Sequence, residues 1–261
     1  MRTIKLTLAY DGTAYAGWQS QPDRRTLQQT LEQAIQEIVG ERLRVVASGR
    51  TDAGVHALGQ VVSFTTESLL SAGVLQRALN AELPRDIAVI EAHDAPAGFH
   101  ARRDARSKRY RYVIRDGRQP NVFERNYAWQ VPRRLDDGRL ARAALPLVGT
   151  HDFSSFETQG SPRATSVRTV HALEIIRDTV DPDRLWIEIE ANGFLYNMVR
   201  SIVGTLVEVG RSVRDESWPG EVLLANDRRA AGRTAPARGL YLLWVKYDLP
   251  TAERAGEQES S

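Results

Sequence analysis

One carboxylate, bracketed by glycines, is the most chemically suggestive feature of this chain. Asp52 lies in Ser48-Gly49-Arg50-Thr51-Asp52-Ala53-Gly54-Val55-His56-Ala57. Gly49 and Gly54 let a backbone turn sharply and let a ligand approach closely. Arg50 stands two residues before Asp52. In an extended segment those two side chains share a face, so the guanidinium can hold and orient the carboxylate. The same residues also describe an ordinary polar turn with Asp as its turn former. Which reading holds depends on the rest of the chain.

A second feature bears on the partner. Residues 102–118 carry eight cations: Arg102, Arg103, Arg106, Lys108, Arg109, Arg111, Arg115 and Arg118. Only Asp104 and Asp116 oppose them. On a strand, Tyr110 and Tyr112 share one face while Arg109 and Arg111 share the other. Cations interleaved with aromatics fit a phosphate-contacting surface; a solvated edge that blunts aggregation is the simpler alternative. Net charge is only +2, so local clustering matters more than the sum. Tyr15, Trp18, Gln19 and Gln21 in an early loop can stack on and hydrogen-bond to exposed bases. Equally, Trp18 can close the edge of a core.

Other chemistries are poorly served. There is no cysteine, so thiolate catalysis, disulfides and Cys-based metal sites are excluded. The five histidines lack metal-ligand spacing, and no phosphate loop or dinucleotide fingerprint is present. His151, Asp152 and Ser154 are too close in sequence for a hydrolase triad, and no Gly-x-Ser-x-Gly elbow accompanies them. Neither a cofactor nor a metal is implied.

The elements that must position Asp52 follow from periodicity. Residues 3–10 alternate as a half-buried strand. Thr26 and Gln29 form a capping box ahead of Leu27, Leu31, Ile35 and Ile38 at helical spacing, and Gly40 ends that helix. Strands are expected at 43–47 and 60–64, a helix at 71–83 stopped by Pro84, and a strand at 87–92. The Asp52 loop joins the second and third strands. The second half repeats the order: strand 107–115, helix 135–147, a polar loop at 151–156, strands 167–176 and 185–191, helix 195–209 and strand 240–247. The expected class is α+β, with two ferredoxin-like (β-α-β-β-α-β) halves. Their sheets are largely antiparallel, with helices on one face and a cleft between the halves. The expected division is 1–98, 99–248 and a polar tail at 249–261, with a linker near 95–106. The N-terminus enters a strand pattern with no signal-peptide core, and no apolar run of about 18 residues occurs. A soluble, cytoplasmic protein is expected.

With these residues in place, the chain resembles the tRNA pseudouridine synthase A family. Tyr10-Asp11-Gly12-Thr13 with Gly17-Trp18-Gln19-x-Gln21 is similar to its first motif, and residues 49–57 to its second. Phe99-His100-Ala101-Arg102 with Arg109-Tyr110-x-Tyr112 is similar to the third. His151-Asp152-Phe153, the run Asn192-Gly193-Phe194-Leu195-Tyr196-Asn197-Met198-Val199-Arg200, and Thr234-Ala235-Pro236-Ala237-x-Gly239-Leu240 complete the set. The motifs run in order from about residue 3 to 247. The resemblance implies isomerisation of uridine to pseudouridine at positions 38, 39 and 40 of the tRNA anticodon stem-loop, by a homodimer without cofactor. It carries over Asp52 as nucleophile, Tyr110 as the residue stacked on the target base and a possible general base, and Arg200 as the cation paired with Asp52. Arg50 becomes a substrate contact, and His56, Arg106 and Arg109 join it on the substrate-binding side. From the residues alone, Arg200 reads more simply as a solvated helix arginine, with only its place beside Asn197 and an apolar face hinting at burial. A non-catalytic RNA-binding module and a nucleoside or glycoside hydrolase are the competing readings.

Overall fold

The alternating residues at the N-terminus form β1 (Arg2–Tyr10) in a computed structural model, which describes residues 1–158 and 165–248. Ile4, Leu6 and Leu8 point to one side and are fully buried. Thr26 caps α1 (Leu27–Val39) by accepting from the Gln29 N–H, and Gly40 closes it in the left-handed region. A short β2 (Val46–Ala47) leads into the Asp52 loop, and β3 (His56–Thr66) leaves it. α2 (Ala72–Glu82), capped by Ser71, and β4 (Ile87–Ala95) complete the first half. The strand expected at 43–47 is thus only two residues long. One backbone group ahead of it, the Val45 N–H, goes to the Glu32 carboxylate of α1 instead of to a strand.

The second half opens with β5 (Ala105–Arg115) and a two-residue β6 (Trp129–Gln130). α3 (Asp137–Ala144) is shorter than the expected 135–147. Asp136 caps its start, and at Pro146 the chain tightens into a 3-10 turn. The polar stretch at 151–156 is not all loop, since its first residues belong to β7 (Gly149–Asp152). β8 (Val167–Arg177) and β9 (Arg184–Ala191) follow. α4 (Met198–Gly210) starts three residues later than expected, because Asn197 holds φ 61° ahead of it. α5 (Trp218–Ala225) was not expected; its Trp-Pro-Gly start reads as a breaker, yet proline suits a first helical turn. β10 (Leu240–Tyr247) ends the described chain, and the tail expected at 249–261 lies outside the described residues.

All ten strands belong to one sheet with the path β4-β1-β3-β10-β5-β9-β8-β7; β2 pairs with β3 and β6 with β5. The fold is mixed α/β, with five α-helices among the described residues. Along the main path every pairing is antiparallel except one. β10 runs parallel to β3, with Tyr241 opposite His56 and Leu242 opposite Ala57. That junction welds the first half of the chain to the second. Across it runs a row of buried residues on one face: Ile87, Tyr10, Ala57, Leu242, Tyr110 and Ile189. The helices supply Leu27, Leu31, Ile35, Leu75, Leu79, Ile202 and Leu206 to the same core. Burying such a row on both sides of the junction gives the hydrophobic effect one continuous surface to act on.

Candidate active site

The Asp52 loop is held from below by a buried polar network. Gln60 of β3 is fully buried, and its amide nitrogen donates to the Gly49 carbonyl at 2.9 Å. Its amide oxygen accepts from the Ser48 hydroxyl at 2.7 Å. The Tyr10 and Thr51 hydroxyls share a hydrogen bond of 2.9 Å, and burial pushes the Tyr10 phenol up to about 12. Trp18 donates its backbone N–H to the Thr51 carbonyl at 2.9 Å. Gly17, at φ 90°, passes so close that a Cβ there would lie 2.9 Å from that carbonyl. Trp18 itself is buried, so it closes the core edge and presents no face to a base.

Above this base, Asp52 meets a cation from the other half of the chain. Arg200, in the first turn of α4, places Nη1 3.0 Å from Asp52 Oδ2. The same nitrogen donates to Asn197 Oδ1 at 2.8 Å, and Nε donates to the Ala235 carbonyl at 2.7 Å. The Ala235 N–H in turn donates to the Arg200 carbonyl at 3.0 Å. A guanidinium held on two sides has little freedom left, so it aims the carboxylate as well as balancing it. Both side chains retain some exposure, 28% for Asp52 and 18% for Arg200. Tyr110 of β5 stands beside them, edge-to-face with Phe194 at 5.0 Å. Burial, with Tyr10 and the Asp52 charge adding to it, pushes the Tyr110 phenol well above its ordinary range.

The remaining expected residues do not converge on Asp52. Arg50 is exposed and makes no ion pair among the described residues. Arg106 is 69% exposed and pairs with Asp248 at 2.6 Å. Arg109 lies on the face opposite Tyr110, where it meets Glu188 at 2.6 Å and Glu174 at 2.7 Å. Arg111 shares Glu188, and Arg115 pairs with Glu124 and Asp181. Much of the basic segment is therefore neutralised along the sheet by acids from β8, β9 and the turns beside them. His56, expected among the substrate contacts, is only 2% exposed, and both ring nitrogens are engaged within the protein. Sequence reasoning missed Gln60, which sits in an apolar strand as a polar exception, and the Ala235 carbonyl, which no side-chain pattern can reveal. Asn197 stood in a quoted motif with no role.

Comparison with known proteins decides the family. The family described as tRNA pseudouridine synthase matches residues 7–104 and 143–248. This chain belongs to it. The tRNA pseudouridine synthase A of Halalkalibacterium halodurans is 48% identical over 241 residues, covering 92% of this chain and 90% of that one. Its counterpart in Bacillus licheniformis is 48% identical over 247 residues, covering 94% and 99%. That of Acetivibrio thermocellus is 45% identical over 249 residues, covering 95% and 100%. Among solved structures, a Cbf5-Nop10-Gar1 complex is 11% identical with a TM-score of 0.37, and the match covers 91% of this chain and 57% of that one.

The chain is therefore an enzyme that isomerises uridine to pseudouridine in tRNA. A hydrolase and a purely RNA-binding module are set aside. No group of three or more histidine, aspartate or glutamate residues positioned to hold a metal occurs among the described residues. No helix among them is long and apolar enough to cross a membrane.

Proposed function

We propose that Asp52 carries out the isomerisation as its single nucleophile, at uridines 38, 39 and 40 of the anticodon stem-loop and without a cofactor. The observation that carries this reading is the 3.0 Å pair between Asp52 and Arg200 beside Tyr110. The net reaction breaks C1′–N1 and forms C1′–C5; the C5 proton leaves and N1 takes one up. Nothing is oxidised and no group is lost, so one aimed carboxylate and a site that retains the base are sufficient. Asp52 attacks C1′ and the N1 electron pair departs with the uracil. The base turns, and C5 then displaces the carboxylate. A hydrolytic glycosidase instead needs a second carboxylate to manage water. The target uridine is flipped out of its stack onto the Tyr110 ring. Arg50, exposed at the loop tip, and Arg106 contact phosphates.

Each half is read as a ferredoxin-like unit, with the substrate cleft between them. The strand orders β4-β1-β3-β2 and β10-β5-β9-β8 support this, being the same arrangement used twice. The enzyme acts as a homodimer in the cytoplasm, where its tRNA substrate is.

The test is tritium release from tRNA labelled at uridine C5, using transcripts with one uridine at 38, 39 or 40. The intact enzyme is expected to release tritium from each, and Asp52→Ala from none while still binding tRNA. Release by Asp52→Ala would overturn the nucleophile. Release only from uridines elsewhere would overturn the positions.

A further inference from the structure

The site is assembled from two halves of the chain: Asp52 comes from the first, Tyr110 and Arg200 from the second. Whatever welds the halves therefore sets the distance between carboxylate and guanidinium. At the weld sits His56, the first residue of β3 and four residues after Asp52. It lies opposite Tyr241 in the parallel junction of β3 with β10, and its ring stacks on Tyr241 at 4.7 Å. Tyr127 covers it at 5.4 Å. Nε2 lies 3.1 Å from the Asn126 carbonyl. A carbonyl only accepts, so Nε2 carries the proton. Nδ1 of the neutral ring then accepts from the Gly12 N–H at 3.2 Å.

One imidazole thus ties the Asn126 carbonyl and the Tyr127 and Tyr241 rings of the second half to the Gly12 N–H of the first. Gly12 in turn lies against the Asp52 loop. A Cβ at Gly12 would fall 2.0 Å from the Val55 carbonyl, and the Val55 N–H donates to the Asp52 carbonyl at 3.1 Å. Asp11 joins Tyr127 to the first half, one of its carboxylate oxygens accepting from the Tyr127 hydroxyl at 2.7 Å; the other lies 3.1 Å from Nδ1 and bonds to the ring only when that nitrogen is protonated.

We propose that His56 is a positioning residue: it clasps the two halves together and so holds Asp52 in register with Arg200, without touching substrate. The proposal rests on the reading of Asp52 and Arg200 as the reacting pair. His56→Phe keeps the ring between Tyr127 and Tyr241 and removes both hydrogen bonds. The expected result is a single-turnover rate of pseudouridine formation lowered roughly tenfold to hundredfold, as for a reacting group displaced by about 1 Å. tRNA affinity should change by no more than about twofold, the scatter expected between uncoupled sites. In an Arg200→Lys background, where the pair is already misaligned, the same substitution should cost less than half as much on a logarithmic scale.

Equal losses in both backgrounds, an unchanged rate, or a loss confined to tRNA affinity would overturn the proposal. Should His56→Phe fail to fold, His56→Asn, which keeps an acceptor for the Gly12 N–H, goes through the same cycle with the same criteria. Asp52→Asn, assayed alongside, tests the underlying reading separately: retained turnover there rejects the reacting pair itself, whereas additivity rejects only the clasp.

Discussion

Arg200 shows how much positioning one side chain can carry. Its three hydrogen bonds go to Asp52, Asn197 and the Ala235 carbonyl. Lysine keeps the charge but cannot span all three directions. Charge-assisted bonds are worth about 1.5–3 kcal/mol each, so Arg200→Lys should lower the single-turnover rate by roughly ten- to a hundredfold. Its tRNA affinity should stay near that of the intact enzyme, as a binding titration can check. His56 sets a different expectation, for stability. Burial lowers its proton affinity from an ordinary value of 6.5, against the pull of Asp11. The folded state thus binds fewer protons than the unfolded chain once pH falls below about 6.5. Stability is complete above that value and declines as pH drops. Thermal denaturation from pH 7.5 to 5 should show a falling midpoint, and the slope should be shallower in His56→Phe, which has no imidazole to titrate. Asp11 adds a decline only at lower pH. Burial would raise its proton affinity, but hydrogen bonds from Thr13 and Tyr127 prevail and lower it from 3.8.

At the scale of elements, α4 is the most constrained. Its Gly204 lies under the segment that holds Arg200, and a Cβ there would fall 1.7 Å from the Arg233 carbonyl. Backbone cannot yield as a flexible side chain does. Gly204→Ala should therefore cost about 1–3 kcal/mol by overpacking, visible in denaturant unfolding. It should also slow turnover, because residues 233–235 must shift and Ala235 with them. β5 presents the opposite lesson. Its arginines face Glu174, Glu188 and Glu190, and side chains of 6% and 15% exposure at Glu188 and Glu190 cannot be left without a cation cheaply. Removing one partner of such a pair costs on the order of 3 kcal/mol. Arg109→Glu is thus expected to lower the melting temperature strongly and to leave the salt dependence of tRNA binding near that of the parent. Arg106, exposed beyond the same strand, should behave the other way. Arg106→Glu should weaken tRNA binding across sequences and reduce the slope of log affinity against log salt by about one. An unchanged slope would remove it from the interface.

For the whole molecule, the parallel junction of β3 with β10 turns two sequential units into one sheet. Much of this was legible beforehand. The alternation in β1, the capping box of α1 and the spacing of α2 and α4 each depend on neighbours within a few turns, so periodicity exposes them. The glycine-bracketed Asp52 was legible for the same reason, its loop being local chemistry. Less legible were β7, β6 and α5, where short strands and a proline-led helix depend on packing more than on propensity.

The amino-acid sequence by itself determined the order of eight of the strands and four of the helices, the loop that presents Asp52, the likeness to a family of uridine-isomerising enzymes, and the absence of thiol chemistry. Tertiary structure decided what each charged side chain meets. Arg200 stands 148 residues from Asp52, and no local pattern reports a contact across that span. The same is true of Arg109, whose type and spacing suited a phosphate but whose neighbours across the sheet are acids. His56 sits in the most recognisable motif of the chain, yet its burial and its two hydrogen bonds arise only when the halves close on it. Periodicity and turn chemistry are properties of neighbouring residues along the chain. Ion pairing and burial are properties of neighbours in space, and the register of the sheet chooses those.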